Sequence, residues 1–103
     1  MSEFVTVAKI DEIPPGQFLS VEVGRRWVLI CNVDGTLYAV NDECTHEEFP
    51  LSDGTLIGCE IECVKHGARF DVRDGRVMAP PALVPLKTYT VRVVGDDVQV
   101  SLG

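Results

Sequence analysis

Both histidines of this 103-residue chain and half of its cysteines fall in two short segments, Cys44-Thr45-His46 and Cys63-Val64-Lys65-His66. Each segment offers one thiolate and one imidazole, and sixteen residues lie between His46 and Cys63. Thiolate and imidazole together suit zinc, copper or an iron–sulfur cluster. Common zinc fingers place two cysteines on one arm and two histidines on the other. Here each arm carries one of each, Cys before His both times. That mixed order suits a binuclear centre in which one iron takes both cysteines and the other both histidines. Spacing alone leaves zinc and a two-iron cluster both open, because zinc is ligated in many ways.

The elements that must position these segments are short strands. The chain has nine glycines and six prolines, and no stretch of ten or more residues carries a helical apolar period. Strands are expected at Phe4 to Val7, from Gln17 with Leu19, Val21 and Val23 on one face, and at Arg26 to Val33, which is apolar on both faces. Asp34-Gly35 is the strongest hairpin signal and leads into Thr36 to Asn41. Short pieces follow at Thr55 to Ile57, Glu60 to Cys63 and Arg69 to Val72, with a second Asp-Gly turn at Asp74-Gly75. The prolines of Ala79 to Pro85 exclude a helix or central strand there. Tyr89, Val91 and Val93 alternate, and Gly95-Asp96-Asp97 turns the chain into Val98, Val100 and Leu102. The expected architecture is all-β, an antiparallel sandwich or barrel. One domain spans residues 1–103, and a smaller metal-carrying lobe covers about 42–78.

The bulk numbers narrow the partners. A formal charge of −7 and a pI of about 4.6 argue against nucleic acid or an anionic membrane. They permit steering toward a basic face on another protein. No signal peptide and no apolar run of transmembrane length is evident, so a cytoplasmic protein is expected. Four cysteines in such a compartment are expected to be thiols or metal ligands, not disulfides.

The second segment continues as His66-Gly67-Ala68, then Phe70-Asp71, and with Cys44-Thr45-His46 it resembles the Rieske motif. Over essentially its whole length, Pro80-Pro81 included, the chain resembles the stand-alone Rieske ferredoxins of bacterial aromatic-ring-hydroxylating dioxygenase systems. One small departure is Val64, where that motif usually has proline. The resemblance implies one [2Fe-2S] cluster held by Cys44, His46, Cys63 and His66. It implies a Rieske-type β-sandwich or barrel with a cluster-binding lobe. It also implies electron transfer from an NAD(P)H-dependent flavoprotein reductase to a terminal oxygenase, by a monomer in transient contact with each.

Two ferric ions, two sulfides and two thiolates sum to zero charge, so replacing two further thiolates by imidazoles raises the potential. Rieske centres span roughly −150 to +300 mV. The high-potential relatives of respiratory complexes supply a serine and a tyrosine hydroxyl where this chain has Ala68 and Phe70. They carry a disulfide where it has Phe49 and Lys65. Both departures place the expected potential near the bottom of that range, because hydrogen bonds to the sulfurs favour the reduced state. Histidines that reach solvent, as in the family, would make the potential pH-dependent at alkaline pH.

A non-haem iron oxygenase needs two histidines and a carboxylate beyond the cluster ligands, and this chain has no third histidine. No nucleotide-binding glycine fingerprint is present either. An electron carrier, not an enzyme, is the reading left. Two alternatives are a Rieske-like small subunit of nitrite reductase and a structural Cys2His2 zinc domain. Among other residues, Cys31 and Cys59 are expected as buried thiols, and Trp27, Tyr38, Phe70 and Tyr89 as core. Glu43, Glu47, Glu48, Lys65 and Arg69 are expected as a charged rim around the site.

Overall fold

The computed structural model describes residues 3–45, 49–64, 67–80 and 84–102. Ten strands follow in chain order: β1 (Val5–Lys9), β2 (Phe18–Val23), β3 (Arg26–Val33), β4 (Thr36–Asn41), β5 (Thr55–Ile57), β6 (Glu60–Glu62), β7 (Arg69–Asp71), β8 (Val77–Ala79), β9 (Thr88–Val94) and β10 (Asp97–Ser101). Among the described residues the only helical pieces are two 3-10 turns, Ile10–Glu12 and Leu51–Asp53. The all-β expectation holds, with most strand bounds within one or two residues.

Six strands form one antiparallel sheet in the order β1-β10-β9-β4-β3-β2, curled into a nearly closed barrel. The remaining four form a smaller sheet, β5-β6-β7-β8. The smaller sheet is an insertion between two strands that pair with each other. β4 and β9 meet at Ala39 with Tyr89 and Val40 with Thr88, and the Asn41 N–H donates to the Lys87 carbonyl at 2.9 Å. The segment that departs at residue 42 and returns at 87 is therefore tied at its base.

The β3–β4 hairpin turns at Asp34 and Gly35, with φ of 53° and 94°. Positive φ at both central residues defines the type I′ turn that Asp-Gly favours, since its twist matches that of the flanking strands. β3 is apolar on both faces because each face lines a different core. Val28 and Ile30 pack with Ala8, Ile13, Val98 and Val100 inside the barrel. Leu29 and Cys31 point the other way and pack with Leu51, Ile61, Phe70, Val72 and Leu86 of the insertion. A fully buried Leu, Ile or Val contributes about 1.5–3 kcal/mol, so each face supplies a core of its own.

Two expectations fail. Trp27 shares its face with Leu29 and Cys31 but is 53% exposed. It lies at the start of β3, where Pro50 and Ser52 of the insertion line a cleft beside it without covering it. Cys59 is half-buried, because Gly58-Cys59 form the two-residue turn between β5 and β6 and so leave the strand alternation. Cys31 is fully buried as expected, as is Phe70; Tyr89 is buried and Tyr38 packs against the core partly exposed.

Candidate metal centre

Cys44 lies three residues beyond β4, and Cys63 directly follows β6. The Cys44 N–H donates to the Phe49 carbonyl at 2.8 Å, and the Cys63 N–H donates to the Ala68 carbonyl at 2.7 Å. Each cysteine thus closes a loop by a bond to the carbonyl five residues ahead. In the second arm this bond continues the β6–β7 ladder, whose last pair is Glu62 with Arg69, and Gly67 takes a left-handed φ of 73° to complete the turn. Cys44 and Cys63 are each 2% exposed and share one core with Ala68, Phe70 and Leu51. His46 and His66, with Glu47, Glu48 and Lys65, lie outside the described residues.

Two close approaches set the arms against each other. A Cβ on Gly54 would stand 1.9 Å from the Glu62 carbonyl oxygen, so only glycine lets the end of the first arm cross the residue before Cys63. A Cβ on Gly75 would stand 2.2 Å from the Leu86 carbonyl oxygen. There the Leu86 N–H donates to the Gly75 carbonyl at 2.8 Å, which pins the proline-rich segment to the β7–β8 turn. At that segment's other contact, the Thr45 hydroxyl donates to the Val84 carbonyl.

Two carboxylates are buried near these arms. Asp71, 1% exposed, accepts from the Arg73 guanidinium at 2.8 and 3.0 Å and from the Arg73 N–H at 2.9 Å; Arg76 stands 3.5 Å away. Hydrogen bonding from Arg73 holds its carboxyl at about 2, below the ordinary 3.8. The same pairing raises the Arg73 guanidinium further above its ordinary value. The half-buried Cys59 thiol sits 3.8 Å from the same carboxylate. Asp42, 7% exposed, accepts from the Ser52 N–H at 2.8 Å and from the Ser20 hydroxyl at 2.5 Å. It joins β2 and the 3-10 turn to the first arm.

Burial pushes the Cys31 thiol up to about 12, and the charge of Asp42 adds to the rise. Cys31 therefore stays protonated and is a packing residue. Neither Cys31 nor Cys59 is in a disulfide. Among the described residues no cluster of three or more His, Cys, Asp or Glu forms a metal site. Two buried thiols brought into one core fit half of a Cys2His2 donor set, and each loop carries its histidine within the undescribed residues. The rim takes shape only in part: Glu43 is exposed, and Arg69 pairs with Glu62 at 2.9 Å. Val64 and Val84, both more than half exposed, add an apolar element beside the arms.

The residues that support the site were less legible than the ligands. Asp71 falls within the motif that carries the resemblance, and its pairing with Arg73 has only a weak signal, an Asp two residues before an Arg ahead of an Asp-Gly turn. Asp42, Gly54 and Thr45 carry none, since their partners are distant in sequence.

A family model for the Rieske [2Fe-2S] domain matches residues 3–90. The biphenyl dioxygenase ferredoxin subunit of Pseudomonas sp. strain KKS102 is 44% identical over 101 residues, covering 97% of this chain and 93% of the relative. The ferredoxin of carbazole 1,9a-dioxygenase from Nocardioides aromaticivorans IC177 superposes with a TM-score of 0.91 at 35% identity, over 96% of this chain and 97% of that one. A structure described as a complex of reduced oxygenase and oxidized ferredoxin in carbazole 1,9a-dioxygenase matches with a TM-score of 0.90 at 35% identity, over 95% of this chain and 92% of that one.

Proposed function

The chain belongs to the Rieske [2Fe-2S] domain family and is a ferredoxin-type electron carrier with a Rieske-type cluster, and on that premise we propose that Cys44, His46, Cys63 and His66 hold it. The observation that carries this assignment is the pair of buried thiols, each closing its own loop, in one shared core. When bound, the cluster supplies one-electron storage, and the two imidazoles in place of thiolates make that electron easier to accept. The chain's own residues fix the backbone of both cysteines and exclude water from behind the thiols.

The potential lies near the bottom of the Rieske range. Ala68 and Phe70 are fully buried and carry no hydroxyl, so neither side chain can donate to a sulfur, and Phe49 and Lys65 cannot form a disulfide. The electron's destination is the terminal oxygenase of an aromatic-ring-hydroxylating dioxygenase system. The relatives named as dioxygenase ferredoxins and the oxygenase–ferredoxin complex support that reading. Its source is an NAD(P)H-dependent flavoprotein reductase. The protein works as a cytoplasmic monomer, one domain over residues 1–103; no helix among the described residues is long and apolar enough to cross a membrane.

Redox titration of the purified holoprotein, with iron analysis and EPR, tests the centre. A histidine-ligated cluster signal and a potential below zero are expected; stoichiometric zinc without iron, or a value well above zero, would contradict it. Reconstituted turnover with a reductase and an aromatic-ring oxygenase tests the partners.

A further inference from the structure

The two buried carboxylates differ in what neutralises them. Asp71 faces two guanidinium groups, so its charge is balanced within its own turn. Among the described residues Asp42 is held only by neutral donors, the Ser52 N–H and the Ser20 hydroxyl. Both bonds are accepted by its carboxylate oxygens, one by each. Arg25 and Arg26 line a cleft beside it with Trp27 and Glu43, but among the described residues no lysine or arginine comes within ion-pair distance of Asp42. Its charge is felt inside the lobe. It contributes to the upward push on Cys31, which shares a core with Cys44 and Cys63. Asp42 also stands two residues before Cys44, with its backbone fixed by its N–H to the Trp27 carbonyl at 3.0 Å.

We propose that Asp42 is a potential-setting residue: a fixed, unpaired negative charge behind the first arm that disfavours the reduced form of the centre. The inference rests on reading Cys44 as a ligand of a one-electron carrier. Reduction adds a negative charge to the site, and a carboxylate removed from bulk water opposes that charge more strongly than an exposed one. Neutral donors hold the carboxylate in place without cancelling its field. The same two bonds make it a strut of the first arm, so charge and strut must be separated by experiment.

Voltammetry of the holoprotein separates them. Asp42→Asn keeps an acceptor oxygen for the Ser52 N–H and removes the charge. It is expected to move the oxidised–reduced equilibrium about tenfold toward reduction, a rise of about 59 mV for one electron. Ser20→Ala removes half of the strut and keeps the charge; its potential should not rise. Trp27 is 53% exposed, so Trp27→Lys sets a cation at the cleft without disturbing the core and should raise the potential relative to Trp27→Gln. An unchanged potential in Asp42→Asn, or an equal rise in Ser20→Ala, overturns the proposal. If Asp42→Asn assembles no cluster, Asp42→Ser, which also removes the charge, decides, and an unchanged potential there overturns the proposal. A wild-type potential well above zero would contradict the low-potential reading, while the Asp42 shift would still be measured against it.

Discussion

The two cysteine arms share a backbone device and differ in what stands behind it. Each closes its loop through the cysteine N–H and the carbonyl five residues ahead. The second arm is the turn of a β-hairpin, so ladder bonds continue on both sides of it, from Glu62–Arg69 to Glu60–Asp71. The first arm has a strand only before it. Beyond Phe49-Pro50 comes a 3-10 turn, and side chains hold the loop: Asp42 to the Ser52 N–H, and the Thr45 hydroxyl to the Val84 carbonyl. One arm is built from main-chain ladder bonds, with a glycine required at the left-handed Gly67. The other depends on particular side chains and tolerates less change.

The comparison breaks down altogether where both arms must act together. Cys44→Ala and Cys63→Ala should each abolish cluster binding, read as loss of iron and of visible absorption; retention of a full cluster in either would remove that residue from the ligand set. Gly54→Ala strikes the crossing between the arms. A methyl 1.9 Å from the Glu62 carbonyl oxygen forces the backbones apart, at a cost of about 3 kcal/mol in a denaturant titration. A cost near zero would show that the crossing is loose.

Asp71→Asn tests the far end of the second arm's hairpin. The folded carboxyl titrates at about 2 against an ordinary 3.8, so its contribution is full above about pH 4 and is lost as pH falls toward 2. That contribution is about 2 kcal/mol. The substitution should remove it at neutral pH and flatten the acid limb of the stability curve; an unchanged acid limb would mean that another carboxylate carries it. The finest distinction lies in the loops themselves. Thr45→Val should cost about 1 kcal/mol and speed cluster loss, with Thr45→Ser restoring the wild-type rate. Val64→Ala in the second arm, at a side chain 59% exposed, should cost under about 0.5 kcal/mol. Equal costs would erase the contrast between the arms.

Local chemistry was readable in the sequence and distant chemistry was not. Asp34-Gly35 announces its turn because only two residues decide it, and β4 falls at Thr36–Asn41 as expected. The double-sided apolar pattern of β3 correctly implied burial on both faces. It could not show that the faces serve different cores, or that the lobe leaves Trp27 half-exposed at the edge of a cleft. The ligand segments are legible because a metal demands fixed donor types at short spacing. Their supports are not, since Gly54 meets Glu62 and Thr45 meets Val84 only after the chain has folded back on itself.

The two-faced β3 strand also sets what happens when metal is missing. The barrel completes its own interior with Val28, Ile30, Val98 and Val100 and needs nothing from the insertion. Should the unloaded lobe lose its order, Leu29, Cys31 and Val40 become an apolar patch on a barrel that is still folded. In that case the unloaded chain is expected to aggregate at concentrations where the loaded one stays dispersed, read by light scattering, with its barrel strands still protected in hydrogen exchange.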